Sequence, residues 1–291
     1  MRNLLFIIAA ISLVSCNNNI QKADAFGNFE ADETLVSSEM SGRILWFNLE
    51  EGSQIEQGQL IGLVDTIIPA IQLEEISAQI AKVEANMKSI DAQLDILNQQ
   101  KENLLIDKSR MDNLLGTGAA TQKQIDDING ALKLIEKQVE ANLTQRIAAS
   151  KELPVIASKK MLLDEQLKKC RIENPTKGTV LEKFAEPGEM TATGKPLYKI
   201  ANLDKITLRA YVSGGQLHQV IKGKTCKVRI DKGKKEFIDF EGTVTWISSQ
   251  AEFTPKIIQT KEERVNMVYA VKIEVPNNGT IKIGMPGEVE F

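Results

Sequence analysis

The feature that most constrains this chain is a run of apolar residues spaced alternately by three and four. From Leu73 it passes through Ile76, Ile80, Val83, Met87, Ile90, Leu94, Leu97, Lys101, Leu104, Lys108 and Met111 to Leu115. Eleven of these thirteen positions are apolar, and the two lysines can lay their methylenes along the same seam. No Gly or Pro falls inside the run. The spacing predicts one helix with a heptad stripe, about 65 Å long at 1.5 Å per residue. Propensity alone does not hold such a helix in water, so the stripe must pack against a partner.

The partner follows at once in the chain. Leu115-Gly116-Thr117-Gly118-Ala119-Ala120-Thr121 breaks the helix with two glycines, and Thr121 suits the N-cap of a second one. Ile125, Ile128, Leu132, Ile135 and Val139 then repeat the spacing. It weakens through Asn142, Arg146 and Ala149 and resumes at Leu153, Ile156, Leu163, Leu167 and Cys170. Pro154 lies within this second helix and is expected to kink or interrupt it, because it donates no hydrogen bond and crowds the preceding turn. A short connection makes the two helices antiparallel neighbours, giving a hairpin over residues 71–170.

The flanks are different material. Gly42–Leu49 leads through Gly52 and Gly58 to Leu60–Asp65, and Gly178–Leu181 leads through Gly188 and Gly194 to Pro196–Ile200. Each reads as a short strand, a turn Gly ten residues after the first Gly, another six later, and a closing strand. An internal duplication split by the helical insertion is the simplest explanation, and neither half is large enough to bury its own face. From Leu203 to Phe291 further strands follow: Ile206–Val212, Cys226–Ile230, Gly242–Ile247, Val268–Val275 and Gly287–Phe291. Most alternate apolar with polar residues at period two, which suits a small β-barrel and a further β-unit. The fold class is therefore α+β and elongated.

Composition agrees with a shape protein. Aromatic residues make up only 5% against 42% hydrophobic, so the apolar content is chiefly Leu, Ile, Val and Ala, as narrow helical seams require. A net charge of −3 carries no basic footprint for nucleic acid. With one His in the chain, a His-based metal site or a Ser/His/Asp triad would rest on His218 alone, and no nearby Cys completes one. Gly214-Gly215 lacks the Lys of a phosphate-cradling loop, and Glu262-Glu263 beside Arg264 reads as a solvated cluster. No catalytic constellation, metal site or cofactor is expected.

The N-terminus reads as an address. Arg2 is followed by an apolar stretch from Leu4 to Val14, too short to span a bilayer. Leu13-Val14-Ser15-Cys16 resembles a bacterial lipobox, which implies cleavage after residue 15 and lipid on Cys16. An uncleaved signal with a chance Cys is the alternative. Residues 16–25 then form a polar tether. Cys170 and Cys226 fall in separate units, and two buried free thiols fit them better than a disulfide.

Taken together, split half-motifs around a long hairpin, a β-barrel and a β-tail behind a lipobox resemble the HlyD-family membrane fusion proteins, periplasmic adaptors of efflux and secretion systems. The resemblance covers residues 26–291. It implies a split lipoyl-like domain at 42–70 and 171–203, a barrel at 204–245, and a membrane-proximal β-domain at 26–41 and 246–291. In carriers of the lipoyl fold a modified Lys occupies the turn between the halves; here the hairpin stands there, which disfavours a carrier. At the hairpin tip, Arg110, Leu114 and Thr121 stand at the spacing of the family's docking motif for an outer-membrane channel, with Thr in place of Ser. Gly118 and Asp126 also match. The same three residues also read as a solvated charge, a seam neighbour and an N-cap.

Ala251–Lys256, Gln259–Arg264, Val268–Val271 and the closing turn Gly284–Gly287 resemble adaptors of ABC-type exporters. The partners implied are an inner-membrane exporter with its ATPase, a TolC-like outer-membrane channel, further copies of the chain in a ring, and the membrane through a lipid anchor. The body would lie in the periplasm, with the inner membrane as the favoured anchor. A lipoyl- or biotinyl-type carrier and a self-associating coiled-coil surface lipoprotein remain as other readings.

Overall fold

The computed structural model describes residues 23–233, 236–253 and 267–291. Cys16, the signal segment 1–15 and the stretch 254–266 lie outside the described residues.

Two helices form the hairpin. Helix α1 spans Ile67–Gly116 and α2 spans Gln122–Lys169. At 1.5 Å per residue α1 is about 75 Å long. It starts ahead of the heptad stripe because the Asp65 carboxylate accepts the Ile67 backbone N–H at 2.9 Å, and Pro69 is tolerated in the first turn. Val83, Leu94 and Leu97 on α1 pack against Ile125, Leu132, Ile135 and Ala149 on α2 as the buried line of the seam. Two of the three charged interruptions of the seam are paired across it. Lys101 reaches Glu136 at 3.0 Å, and Arg146 reaches Asp91. Of the two outcomes expected at Pro154, interruption does not occur: the helix continues to Lys169. Leu153 and Ile156 stay partly buried on either side of it. The seam thus holds both flanks of the proline in helical register while its missing hydrogen bond is lost at the surface.

The half-motifs interlock as the duplication predicts. Strands β2 (Glu33–Ser37), β3 (Gly42–Phe47), β4 (Gln54–Ile55) and β5 (Leu60–Val64) precede the hairpin. After it come β6 (Arg171–Glu173), β7 (Gly178–Lys183), β8 (Met190–Thr191) and β9 (Pro196–Ala201). They make two four-stranded sheets, β2-β9-β7-β4 and β6-β5-β3-β8. Each half lends its short middle strand to the other, β4 to β7 and β8 to β3, a reciprocal exchange with pseudo-two-fold symmetry. Gly52 and Gly188 occupy equivalent turns at φ of 83° and 90°, and Gly58 and Gly194 at 76° and 85°, a region that only Gly enters without strain.

Between the sheets lie Ile44, Phe47, Ile61, Val64, Ile172, Val180, Leu197, Tyr198 and Ile200. The buried Tyr198 hydroxyl donates to Asn174 Oδ1 at 2.9 Å, while Asn174 Nδ2 donates to the carbonyls of Glu56 and Thr176. One amide therefore ties the two halves together. Cys170 closes α2 and enters this core, where burial, then the nearby Asp65 carboxylate, push its thiol pKa up.

The remaining strands are β1 (Ala25–Glu30), β10 (Lys205–Ser213), β11 (Thr225–Asp231), β12 (Phe237–Ile247), β13 (Glu252–Phe253), β14 (Met267–Pro276) and β15 (Pro286–Glu290). They run β10-β1-β15-β11-β12-β14, and β14 returns to β10, closing a six-stranded barrel with β13 added beside β14. The period-two pattern of β10, with Ile206, Leu208, Ala210 and Val212 all buried, supplies one wall of its core. Closure draws β1 so near β10 that a Cβ on Gly27 would stand 1.9 Å from the Arg209 carbonyl oxygen.

This pairing differs from the division into a barrel at 204–245 and a membrane-proximal unit at 26–41 and 246–291. β12 runs unbroken across residues 245 and 246, β14 closes the ring against both β10 and β12, and β2 belongs to the sandwich instead. Cys226 lies in the barrel wall, far along the chain from Cys170; both are free, and burial pushes the Cys226 thiol up to about 11.

Candidate functional site: the hairpin tip

The turn between the helices is built by capping. The Leu114 carbonyl accepts the backbone N–H of Thr117 at 3.2 Å and of Ala119 at 2.9 Å, while the Thr117 hydroxyl donates to it at 2.9 Å. Gly118 then reverses the chain at φ 75°, where a side chain would be strained. Thr121 is the N-cap of α2 and forms a capping box with Gln124. Its backbone N–H donates to Gln124 Oε1 at 2.8 Å, its hydroxyl donates to the same oxygen at 3.0 Å, and its Oγ1 accepts the Gln124 N–H at 3.4 Å. Gln122 Nε2 donates to Asp126 Oδ1 at 3.1 Å, fixing the other matching residue of the motif on the first turn of α2.

The three expected docking residues thus sit in one small region but in different states. Arg110 and Leu114 are four residues apart on α1, so they share a face. Arg110 is largely exposed, with its guanidinium 3.4 Å from the Asp107 carboxylate one turn back. An ion pair of this length in full solvent contributes little and leaves most donors of the fork available. Leu114 is exposed, which an apolar side chain at the end of a helix does not need for packing. The Thr121 hydroxyl is already engaged twice, so it fixes the turn that presents the other two. The motif spacing could not show that Gln124 completes this cap or that Asp107 lies beside Arg110. The capping signature, Thr followed three residues later by Gln, was present to be read.

His218 is exposed in the short 3-10 turn Leu217–Gln219, with Nδ1 2.7 Å from the Gly215 carbonyl oxygen. Among the described residues, no group of His, Cys, Asp and Glu is arranged to hold a metal ion, and no helix is long and apolar enough to cross a membrane.

Comparison with known proteins yields no matching family model. Curated relatives do match over most of the chain. A UPF0194 membrane protein of Yersinia enterocolitica is 24% identical over 91% of this chain and 88% of its own length. Another from Acidithiobacillus ferridurans is 24% identical over 91% of this chain and 86% of its own. Among solved structures, MacA from Actinobacillus actinomycetemcomitans superposes with a TM-score of 0.57 at 19% identity, covering 91% of this chain and 76% of that one. The membrane fusion protein Spr0693 from Streptococcus pneumoniae gives 0.53 at 15% identity over 91% and 96%. The hairpin, sandwich and barrel together therefore form the fold of the membrane fusion proteins.

Proposed function

We propose that this chain is a non-enzymatic periplasmic adaptor of a transport assembly, linking an inner-membrane exporter of the ABC type to an outer-membrane channel. The observation that carries this reading is the tip. A guanidinium with free donors and an exposed Leu share one face of α1, held by a capped turn, at the end of a helix about 75 Å long. A planar fork that pairs with carboxylates and carbonyls, beside an apolar knob, is a compact protein-recognition element. The hairpin gives it reach from the body of the molecule, and that body is fixed at the membrane by lipid on Cys16. Several copies stand side by side as a ring through which cargo passes, since heterologous interfaces that close make rings. The insertion of the hairpin between the half-motifs also removes the turn on which a carrier of the lipoyl type holds its cofactor.

Arg110→Asp tests this directly. The expected outcome is loss of export with a melting curve within about 0.5 kcal/mol of the parent, as for an exposed position. A photo-crosslinker at Gln122 in cells should trap an outer-membrane channel in the parent and much less of it in Arg110→Asp. Equal export by both proteins, or recovery of self-crosslinks only, would refute the docking role.

A further inference from the structure

The two ends of the barrel are chemically different. At one end β1 leaves through Glu30 for the sandwich and β10 begins at Lys205, opposite Pro276 of β14. Both connections to the sandwich and hairpin therefore cross there. The opposite rim is where the N-terminal segment arrives. Asp24 donates its backbone N–H to Val289, its carboxylate accepts the Phe291 N–H, and its carbonyl accepts from Gln216 Nε2. Ser213 at the end of β10 pairs with Val268 on the same rim.

Among the described residues, this far rim carries apolar side chains that lie outside both buried cores. Phe253 is 79% exposed and Met267 60% exposed, and they are directly opposite each other on β13 and β14. Opposed residues on paired strands project to one side, so the two form a single apolar surface. β13 is held in place by Glu252, whose two carboxylate oxygens each accept from Arg209 Nη2 at 3.0 Å. Ile221, 58% exposed, follows on the turn into β11, with Lys222 and Lys224 exposed beside it.

We infer that this rim seats in the interface of the anchoring bilayer, with Phe253, Met267 and Ile221 entering the headgroup boundary and Lys222 and Lys224 meeting anionic lipid. The inference rests on lipid anchoring at Cys16. Seven residues lie between Cys16 and Asp24, so the tether spans at most about 29 Å. That length keeps this end of the barrel, and not the sandwich end, against the membrane. Aromatic and long apolar side chains next to lysines suit the layer between hydrocarbon and water. A seated rim would make the barrel a foot and orient the hairpin away from the surface.

The test uses the lipidated full chain in vesicles of phosphatidylethanolamine and phosphatidylglycerol whose acyl chains carry bromine. In a Trp46→Phe, Trp246→Phe background, a single reporter is placed by Phe253→Trp, by Met267→Trp, or by Lys282→Trp at the sandwich end. The expected result is loss of emission on brominated lipid for the first two reporters and none for the third, with all three proteins sedimenting with the vesicles. Sedimentation without quenching at either rim position overturns the seating, leaves the anchor standing, and assigns the rim to a protein partner. Quenching at Lys282→Trp as well overturns the orientation. Failure to sediment removes the anchor and this inference with it. Circular dichroism of each variant, matched to the parent, ensures that quenching is read on folded protein.

Discussion

Helices of 50 and 48 residues bury only seven side chains between them, whereas the much shorter strands of the barrel enclose a core of sixteen buried residues among those described. The hairpin is a line of contacts, each made with the level opposite it, and it admits charged residues, two of which pair across it. The barrel is a closed circuit in which each of the six ring strands pairs with the strands on both sides of it, around a core that is apolar among the described residues. A linear element tolerates local faults and spends its surface on reach; a closed one concentrates stability. The division sets the tip about 75 Å along α1 from the sandwich.

Substitutions can break this contrast, beginning with the largest effect. Leu208→Ala, in a fully buried barrel position, should cost about 3–5 kcal/mol in chemical denaturation, because the ring cannot collapse around the cavity. Leu97→Ala in the seam, 7% exposed and able to relax on two open sides, should cost about 2 kcal/mol or less. Equal losses would show that the hairpin is as tightly packed as the barrel. Thr121→Ala removes the cap hydroxyl and should destabilise α2 by about 1 kcal/mol, with faster amide exchange confined to the tip and channel crosslinking reduced; Thr121→Ser should restore both. The smallest effect belongs to the half-buried seam pair. Asp91→Arg alone should cost about 0.5–1 kcal/mol, and adding Arg146→Asp should recover most of it. Absence of that recovery in a double-mutant cycle would mean that the pair is incidental to register.

The same contrast explains what could be read from the residues alone. The hairpin was legible because its partners lie at matching levels of one stripe, and a three-four spacing written twice around Gly116 and Gly118 leaves little choice of pairing. The duplication was legible because Gly52, Gly58, Gly188 and Gly194 mark equivalent turns at equal spacing. The barrel was not legible as one body. Alternation in β10 shows which face is buried but not that its neighbours are β1, near the start of the chain, and β14, beyond β12. The pairing of Lys101 with Glu136 and of Arg146 with Asp91 was equally hidden, because periodicity marks a polar seam position without naming what neutralises it. At the tip, the resemblance singled out Arg110, Leu114 and Thr121 as candidates; that Thr121 caps α2 with Gln124 and that Asp107 lies beside Arg110 needed the hydrogen bonds.

The exchange of middle strands between the sandwich halves has a consequence in time. β3, β4 and β5 are synthesised long before β7 and β8 exist, and 105 residues separate Asp65 from Cys170, which meet at the base of the hairpin. At about 5–20 residues per second that interval lasts about 5–20 s, during which the first half has strand edges and no mate. The nascent chain must therefore be shielded from its neighbours until the hairpin has zipped and carried the second half back. A helix that closes level by level, fast and locally, is well suited to making that return journey short.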